Sequence, residues 1–296
     1  MPHTGAGTKP NLMILVHERP ILMEATIHVL MKHLPREQVG EIILLVNDPI
    51  VEVTQLAHTL ANYYGLKLVL YPGEGIAFNT GNAVNHCIRQ YPAETYIKVD
   101  DDIFIIHDKF VEKMLAAVGS GPSVGAVVAL APVSQYMGFY CIKKLGLEKA
   151  FRARFNQDWN THWLEGSCRD CEITAWIWEQ TLDMLEVARF FLRSNTGYLT
   201  TQERVSIGTV CFTHAHWQKM GGFGINQEKS LTEYIQKNDL QYVIDTSNPV
   251  FHFAYCGCYP KMMEDIFPRL VERNRNILCP PADFPTTEYT KRFKER

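Results

Sequence analysis

Three adjacent carboxylates, Asp100, Asp101 and Asp102, interrupt the segment Tyr96-Ile-Lys-Val-Asp-Asp-Asp-Ile-Phe104. A strand-like run leads into them and another apolar run follows. Carboxylates crowded at the end of a buried strand repel one another and are costly to desolvate. A divalent cation relieves both costs. Hard cations such as Mg²⁺ and Mn²⁺ select oxygen ligands and keep positions open for phosphate groups. Asp100 and Asp102 sit two apart, so in extended chain they point the same way, and Asp101 points the other way. One of the outer pair can reach a metal while the other reaches a hydroxyl or a metal-bound water. A solvated acidic turn is the bland alternative.

Other side chains belong to the same chemical inventory. His252 lies between Phe251 and Phe253 and is a further candidate ligand to a metal or a diphosphate, or a core histidine. Glu233 and Glu228 are candidate proton acceptors. Ser230-Leu-Thr-Glu233 also has the form of a capping box, in which the glutamate closes its own helix start. Cys168 and Cys171 form C-x-x-C, and Cys256 and Cys258 form C-x-C. The four together could ligate a structural zinc.

These residues need elements to hold them. Leu12–Val16, Ile42–Val46, Leu66–Leu70, the aspartate-bearing strand and Ala126–Leu130 read as buried strands. Helical stripes alternate with them: Ile27 to Leu34, Glu52 to Tyr64, Ala83 to Ile88 behind an N-cap at Asn79, and Phe110 to Val118. Repeated β-α-β units predict an α/β fold with a mostly parallel, Rossmann-like central sheet. Ligands of such sheets bind beyond the carboxyl ends of the strands. His17-Glu-Arg19, Asn47-Asp48, the Gly73–Gly75 loop and the aspartates all fall there.

Residues 136–205 are predicted as a helical insertion, with Thr174 to Leu192 the clearest helix. Trp159, Trp163 and Trp176 within it are candidate stacking surfaces or core. Strand patterns resume at Val205–Phe212, Tyr242–Ile244 and Val250–Phe253. Residues 1–10 read as a disordered leader, 11–255 as one domain and 256–296 as a helical tail with a helix over Met262–Ile277.

With 296 residues, a net charge of −3 and 46% apolar residues, the chain reads as globular, without a general nucleic-acid footprint. No apolar run reaches membrane-spanning length. A cytoplasmic location with reduced thiols is the expectation.

The order of these signals resembles the inverting, metal-dependent nucleotide-sugar glycosyltransferases of the type-A fold, especially the broad family 2 group. Val16-His-Glu-Arg-Pro20 resembles its first strand-to-helix turn and Asn47-Asp48 its base-reading strand end. Asn79-Thr-Gly-Asn82 resembles the segment before its metal motif, Asp100-Asp-Asp102 the motif itself. Gly208 to Gly222, with Met220-Gly-Gly-Phe223, resembles its acceptor-side glycine segment, and the helix from Leu231 its base helix. The resemblance implies metal ligation by Asp100, Asp102 and His252, with Mn²⁺ or Mg²⁺ as cofactor. It implies nucleotide contacts from His17, Arg19, Asp48, Asn79, Asn82 and Asp100, with a UDP-sugar favoured. Glu233 is the preferred base, with Glu228 as the other candidate. The acceptor stays open among saccharide, glycan, protein and modified nucleobase. Two departures stand out: only Thr232-Glu233 occupies the place of an acidic pair, and the second strand ends in Asn-Asp-Pro. A nucleotidyltransferase and a catalytically inactive nucleotide- or carbohydrate-binding module are the competing readings.

Overall fold

The computed structural model describes residues 9–73, 79–133, 137–156, 171–194, 197–253 and 258–294. Its first half runs β1 (Asn11–Val16), α1 (Pro20–His33), β2 (Ile42–Asn47), α2 (Val51–Tyr64), β3 (Lys67–Tyr71), α3 (Thr80–Gln90), β4 (Thr95–Asp100), β5 (Ile103–Phe104), α4 (Phe110–Val118) and β6 (Val124–Leu130). The middle contains α5 (Met137–Lys144), α6 (Glu148–Phe155), α7 (Cys171–Gln180), α8 (Met184–Arg193) and β7 (Tyr198–Thr201). Then follow β8 (Thr209–Thr213), α9 (His214–Met220), α10 (Gln227–Lys237), β9 (Gln241–Pro249) and β10 (Phe251–His252). The tail holds α11 (Tyr259–Lys261), a π-helical stretch (Met262–Ile266), α12 (Phe267–Arg273), α13 (Arg275–Leu278) and α14 (Glu288–Lys294).

Every residue of β1, β2 and β6 is buried. Strands covered on both faces have no polar side, which explains their unbroken apolar runs. The eight-stranded sheet has the order β3-β2-β1-β4-β8-β6-β9-β7. β3, β2, β1 and β4 are mutually parallel, and β6 is parallel to β9. β8 runs antiparallel to both β4 and β6, and β7 runs antiparallel to β9. The expected α/β architecture with a mostly parallel sheet is therefore present. A separate two-stranded ladder pairs β5 with β10, placing His252 opposite Ile103.

Several sequence expectations need correction. The strand expected from Val205 begins at Thr209, and the strand expected at Tyr242–Ile244 runs on to Pro249. The helix expected over Thr174 to Leu192 is two helices, because Asp183 caps α8 by accepting from the Glu186 N–H at 3.0 Å. The middle segment also contributes the edge strand β7, whose Tyr-Leu-Thr-Thr is too polar to signal a buried strand. Trp176 is core, packed on Phe151 and Phe155; Trp159 and Trp163 lie outside the described residues. The tail helix breaks at Asn274, whose side chain bonds Leu182 and Leu270 carbonyls instead.

The tail folds back on the first two helices. Tyr63 donates to Asp283 at 2.6 Å, Thr287 donates to buried Glu24 at 2.7 Å, and Phe284 meets the His28 ring edge-on. Cys171 and Cys258 form a disulfide with Cα atoms 5.1 Å apart. This corrects both the zinc reading and the expectation of reduced thiols at that pair, since a disulfide sulfur offers no thiolate to a metal. Cys168 and Cys256 lie outside the described residues. Among the described residues no helix is long and apolar enough to cross a membrane.

Candidate active site

The aspartates stand where the chain leaves β4 and turns into β5. Each has its own environment. Asp100 ends the strand; its N–H donates to the Gly208 carbonyl at 2.8 Å, and its carboxylate takes a 2.6 Å ion pair from Lys98. Lys98 lies two residues back on the same strand face and is itself buried, with only 2% of its side chain exposed. Asp101 turns the other way, as alternation predicts, and accepts the His17 N–H at 3.1 Å. Its carbonyl accepts from Thr26 Oγ1 at 2.9 Å, tying the turn to α1.

Asp102 is buried between a guanidinium and an imidazole. Arg19 donates from NH1 to Oδ2 at 2.7 Å, and His252 Nε2 lies 3.2 Å from Oδ1. The Phe253 N–H donates to the Asp102 carbonyl at 2.8 Å, so the β5–β10 ladder sets the approach of His252. Tyr259 lies under the Arg19 guanidinium at 5.1 Å, a cation–π contact.

These surroundings separate the proton affinities of the three acids. Burial pushes the Asp101 carboxyl up to about 7, and Asp102 beside it adds to the rise. Burial also raises Asp100, outweighing Lys98. At Asp102 burial pulls upward, but His252 and Arg19 together hold the carboxyl below its ordinary value. His252 shows the converse: burial lowers it, and Asp102 more than reverses this. The carboxylates are thus partly neutralised from within. The premise that their repulsion requires a metal is corrected by Lys98, Arg19 and His252.

The residues nevertheless fit a divalent cation. Asp102 Oδ1 is buried and has no aligned hydrogen bond, although His252 Nε2 is 3.2 Å away. Two ligand atoms at right angles on an octahedral ion with ~2.1 Å bonds stand about 3 Å apart. An oxygen and an imidazole nitrogen at that spacing suit Mn²⁺ or Mg²⁺, leaving other positions for phosphate and water. Among the described residues no group of three or more His, Cys, Asp or Glu side chains converges as a closed metal site. Asp100 turns its carboxylate to Lys98, while the fields of Asp102 and His252 still reach it.

The nucleotide-side candidates line the neighbouring strand ends. His17 Nδ1 lies 3.3 Å from the Asn47 carbonyl. Asp48 is exposed in the left-handed region at φ 55°, its N–H donating to the Tyr71 carbonyl at 2.9 Å. Gly73 packs so closely that a Cβ there would stand 3.0 Å from Asp48 Cβ. Asn79 occupies the N-cap position of α3 but its side chain does not cap; its Nδ2 reaches the Gly73 carbonyl at 3.5 Å. Asn82 is half-buried in the first turn. Asn47, the other member of the strand end read from the sequence, is buried with both amide atoms unpartnered.

The start of α3 is welded to the glycine segment. Asn85 donates to the Phe223 carbonyl at 2.7 Å and accepts from the Phe223 N–H and Trp217 Nε1, both at 2.8 Å. A Cβ at Gly81 would fall 1.7 Å from the Gly224 carbonyl oxygen, so only glycine permits this approach.

The two glutamates part company. The helix begins at Gln227, with the Asn226 side chain accepting from the Lys229 N–H at 2.9 Å. The capping box expected at Ser230–Glu233 is therefore not formed: Ser230 is inside the helix, and its hydroxyl donates back to Asn226 and Gln227 carbonyls. Glu233 is 64% exposed, pairs with Lys229 at 3.8 Å and lines a surface hollow with Lys219, Gly222 and Lys237. None of these touches the aspartates. Glu228, in the first turn, faces the other way. Its Oε1 lies 3.4 Å from the Ile207 N–H, and its Oε2 takes two donors from Arg204, Nε at 2.9 Å and NH2 closer still. Ile207 precedes the Gly208 whose carbonyl holds Asp100. A Cβ at Gly208 would stand 3.2 Å from the His252 ring. One peptide step thus separates the Glu228 carboxylate from the aspartate–histidine side. Sequence reading missed Lys98, Arg204 and Tyr259; a lysine two residues before the acid pair was the one local signal.

No protein-family model and no curated protein matches the chain. Its fold matches that of solved structures. One is mannosyltransferase PcManGT from Pyrobaculum calidifontis in complex with GDP-Man and Mn²⁺, with TM-score 0.52 and 12% identity over 93% of this chain and 68% of that one. Another is GalNAc-T7 with UDP, GalNAc and Mn²⁺, with TM-score 0.54 and 11% identity over 85% of this chain and 45% of that one. The chain thus spans about two thirds of the first and under half of the second. At these identities the likeness establishes the fold, which is the type-A glycosyltransferase fold.

Proposed function

We propose that this chain is a glycosyltransferase that moves a sugar from a nucleotide diphosphate to an acceptor hydroxyl, with inversion at the anomeric carbon and Glu228 as the base. The observation that carries this reading is the Ile207–Gly208 step, with Glu228 on one side and the Asp102–His252 pair on the other. Two structural neighbours with this fold hold nucleotides and Mn²⁺.

Asp102 and His252 would hold the metal, with Asp100 toward the ribose or a metal-bound water. When bound, the metal supplies Lewis-acid stabilisation of the leaving diphosphate. His17, Arg19, Asn79 and Asn82 face the phosphates and ribose, and Asp48 the base, with a UDP-sugar the favoured donor. Glu228 takes the acceptor hydroxyl proton as the oxygen attacks the anomeric carbon. The bond from that carbon to the diphosphate oxygen breaks, and its electron pair leaves with the diphosphate. Attack from the side opposite the leaving group inverts the sugar.

Consumption of UDP- and GDP-sugars with Mn²⁺ is the direct test, with Glu228→Gln and Glu233→Gln side by side. General-base catalysis contributes roughly 10²–10⁴-fold, so Glu228→Gln is expected to lose that factor while Glu233→Gln turns over normally. Equal loss in both variants, or normal turnover in Glu228→Gln, removes the base assignment. Retained anomeric configuration in the product, read by NMR, removes the inverting mechanism. A nucleoside diphosphate that raises the melting temperature equally in EDTA and in Mn²⁺ removes the metal site.

A further inference from the structure

Arg204 is the charged side chain nearest the proposed base, and its placement speaks to the acceptor. It lies in the segment between β7 and β8, four residues before the Gly208 that holds Asp100. Its Nε and NH2 both bind the same Glu228 oxygen, and NH1 has no partner among the described residues. Its side chain is 54% exposed, against 29% for Glu228. The guanidinium is thus the outer member of the pair, with donors still turned to solvent.

A base must offer an oxygen lone pair to the acceptor O–H. As the residues stand, Arg204 occupies Glu228 Oε2 and the Ile207 N–H approaches Oε1. Lone pairs already committed to a guanidinium are poor receivers of a proton. The base is released when Arg204 turns its donors elsewhere, and only another anion replaces a charge-assisted bond at comparable strength. In the transferase reading Arg19 and the metal ligands hold the nucleotide diphosphate on the aspartate side, which leaves the anion at Arg204 to the acceptor.

We propose that the acceptor carries its own anionic group, a carboxylate or a phosphate, and that Arg204 receives this group as it lets go of Glu228. The inference rests on the transferase reading above. Arg204 acts here as a specificity residue and a restraint: until an anionic acceptor arrives, the base stays engaged and water is a poor substitute acceptor. The transfer step itself is unchanged. The acceptor oxygen bonds the anomeric carbon, its proton passes to Glu228, and the diphosphate departs with the electron pair.

The test uses the full chain with Mn²⁺, a panel of UDP- and GDP-sugars, and three matched acceptors: a neutral methyl glycoside, its uronic acid and its 6-phosphate. Charged hydrogen bonds are strong enough that kcat/KM for one or both anionic members should exceed the neutral one by about tenfold or more. The carboxylate and phosphate arms tell which group is taken. Arg204→Gln should remove that preference by raising KM for the anionic acceptor, and should raise donor hydrolysis to water. Arg204→Lys, which keeps the charge without the fork, should recover part of the preference. Equal or better use of the neutral acceptor overturns the proposal, as does a preference that survives in Arg204→Gln or hydrolysis that does not rise. Turnover without anion preference overturns this inference alone. No consumption of any donor, with or without acceptor, overturns the transferase reading and this inference together. Melting temperatures of the variants establish that each is folded.

Discussion

Asp102 is the residue on which the site turns, and its surroundings change what its removal should do. A solvated strand-end acid could be cut back at little cost. Asp102 instead pairs with both buried His252 and largely buried Arg19, so Asp102→Ala removes a carboxylate from both at once. Removing one member of such a buried arrangement costs about 3–5 kcal/mol. We expect Asp102→Ala to lose nucleotide binding and also to melt markedly lower, with Asp102→Asn intermediate. Thermal melts of the three proteins in EDTA check this, and an unchanged melting point in Asp102→Ala would mean the pairs contribute nothing. In the metal-free protein the contribution has a pH window. Asp102 has a lowered folded pKa, so its share is present above the ordinary aspartate value and lost as pH falls through the folded value. His252 has a raised one, so its share is lost as pH rises through its folded value. The triplet stood out in the sequence less by itself, since a solvated acidic turn has the same pattern, than by its place among the other strand-end motifs. Its neutralising partners were not legible: Arg19 is 83 residues away, and only the fold brings it close. Glu233 was preferred because Thr232-Glu233 stands where the resembling family has its acidic pair, with a helix cap as the alternative; Asn226, four residues earlier than Ser230, took the cap, and Glu228 in that first turn meets Arg204 and the Ile207 N–H.

At the scale of elements, the decisive joint is between the start of α3 and the loop after α9. Asn85 closes it with three hydrogen bonds, and Gly81 lets two backbones touch. We expect Gly81→Ala to be severely destabilising, because the added methyl meets the Gly224 carbonyl and backbone cannot yield cheaply. Gly224→Ala should be tolerated by comparison: its Cβ would meet Ser230 at an ordinary 3.6 Å. Denaturant titrations of the two variants decide the matter, and equal stabilities would mean the contact is not rigid. The strands and most helices flanking this joint were legible, since apolar runs and helical stripes are local patterns. The break at Asp183 and the polar edge strand β7 were not, because one depends on which of two polar residues wins a cap, and the other on pairing with β9.

At the scale of the molecule, the mostly parallel sheet and its helical cover follow from the alternation of strand and helix, whereas the insertion of antiparallel β8 between β4 and β6 does not. The disulfide does not, since pairing among eight cysteines is not encoded by spacing alone. It joins the start of α7 to the residue preceding Tyr259, across a sequence separation of 87. Constraining a loop of that length in the unfolded chain stabilises by about 4.6 kcal/mol on the chain-entropy account. Reduction with a dithiol should therefore lower the melting temperature by on the order of 10 °C, and Cys258→Ser should match the reduced protein. A melting curve indifferent to dithiol, together with a thiol count including Cys171 and Cys258, would show that the bond does not form in solution. The long reach of the contacts around the site has a consequence for how the protein is made. Asp101 waits for nothing, since His17 has already been synthesised 84 residues earlier, but Asn85 must wait 138 residues for Phe223. At ~5–20 residues per second that is roughly 7 to 28 seconds on the ribosome. During that interval the N-terminal half of the sheet has the edge of β4 uncovered, and a cell that makes this protein must shield a half-built sheet until β8 arrives to close it.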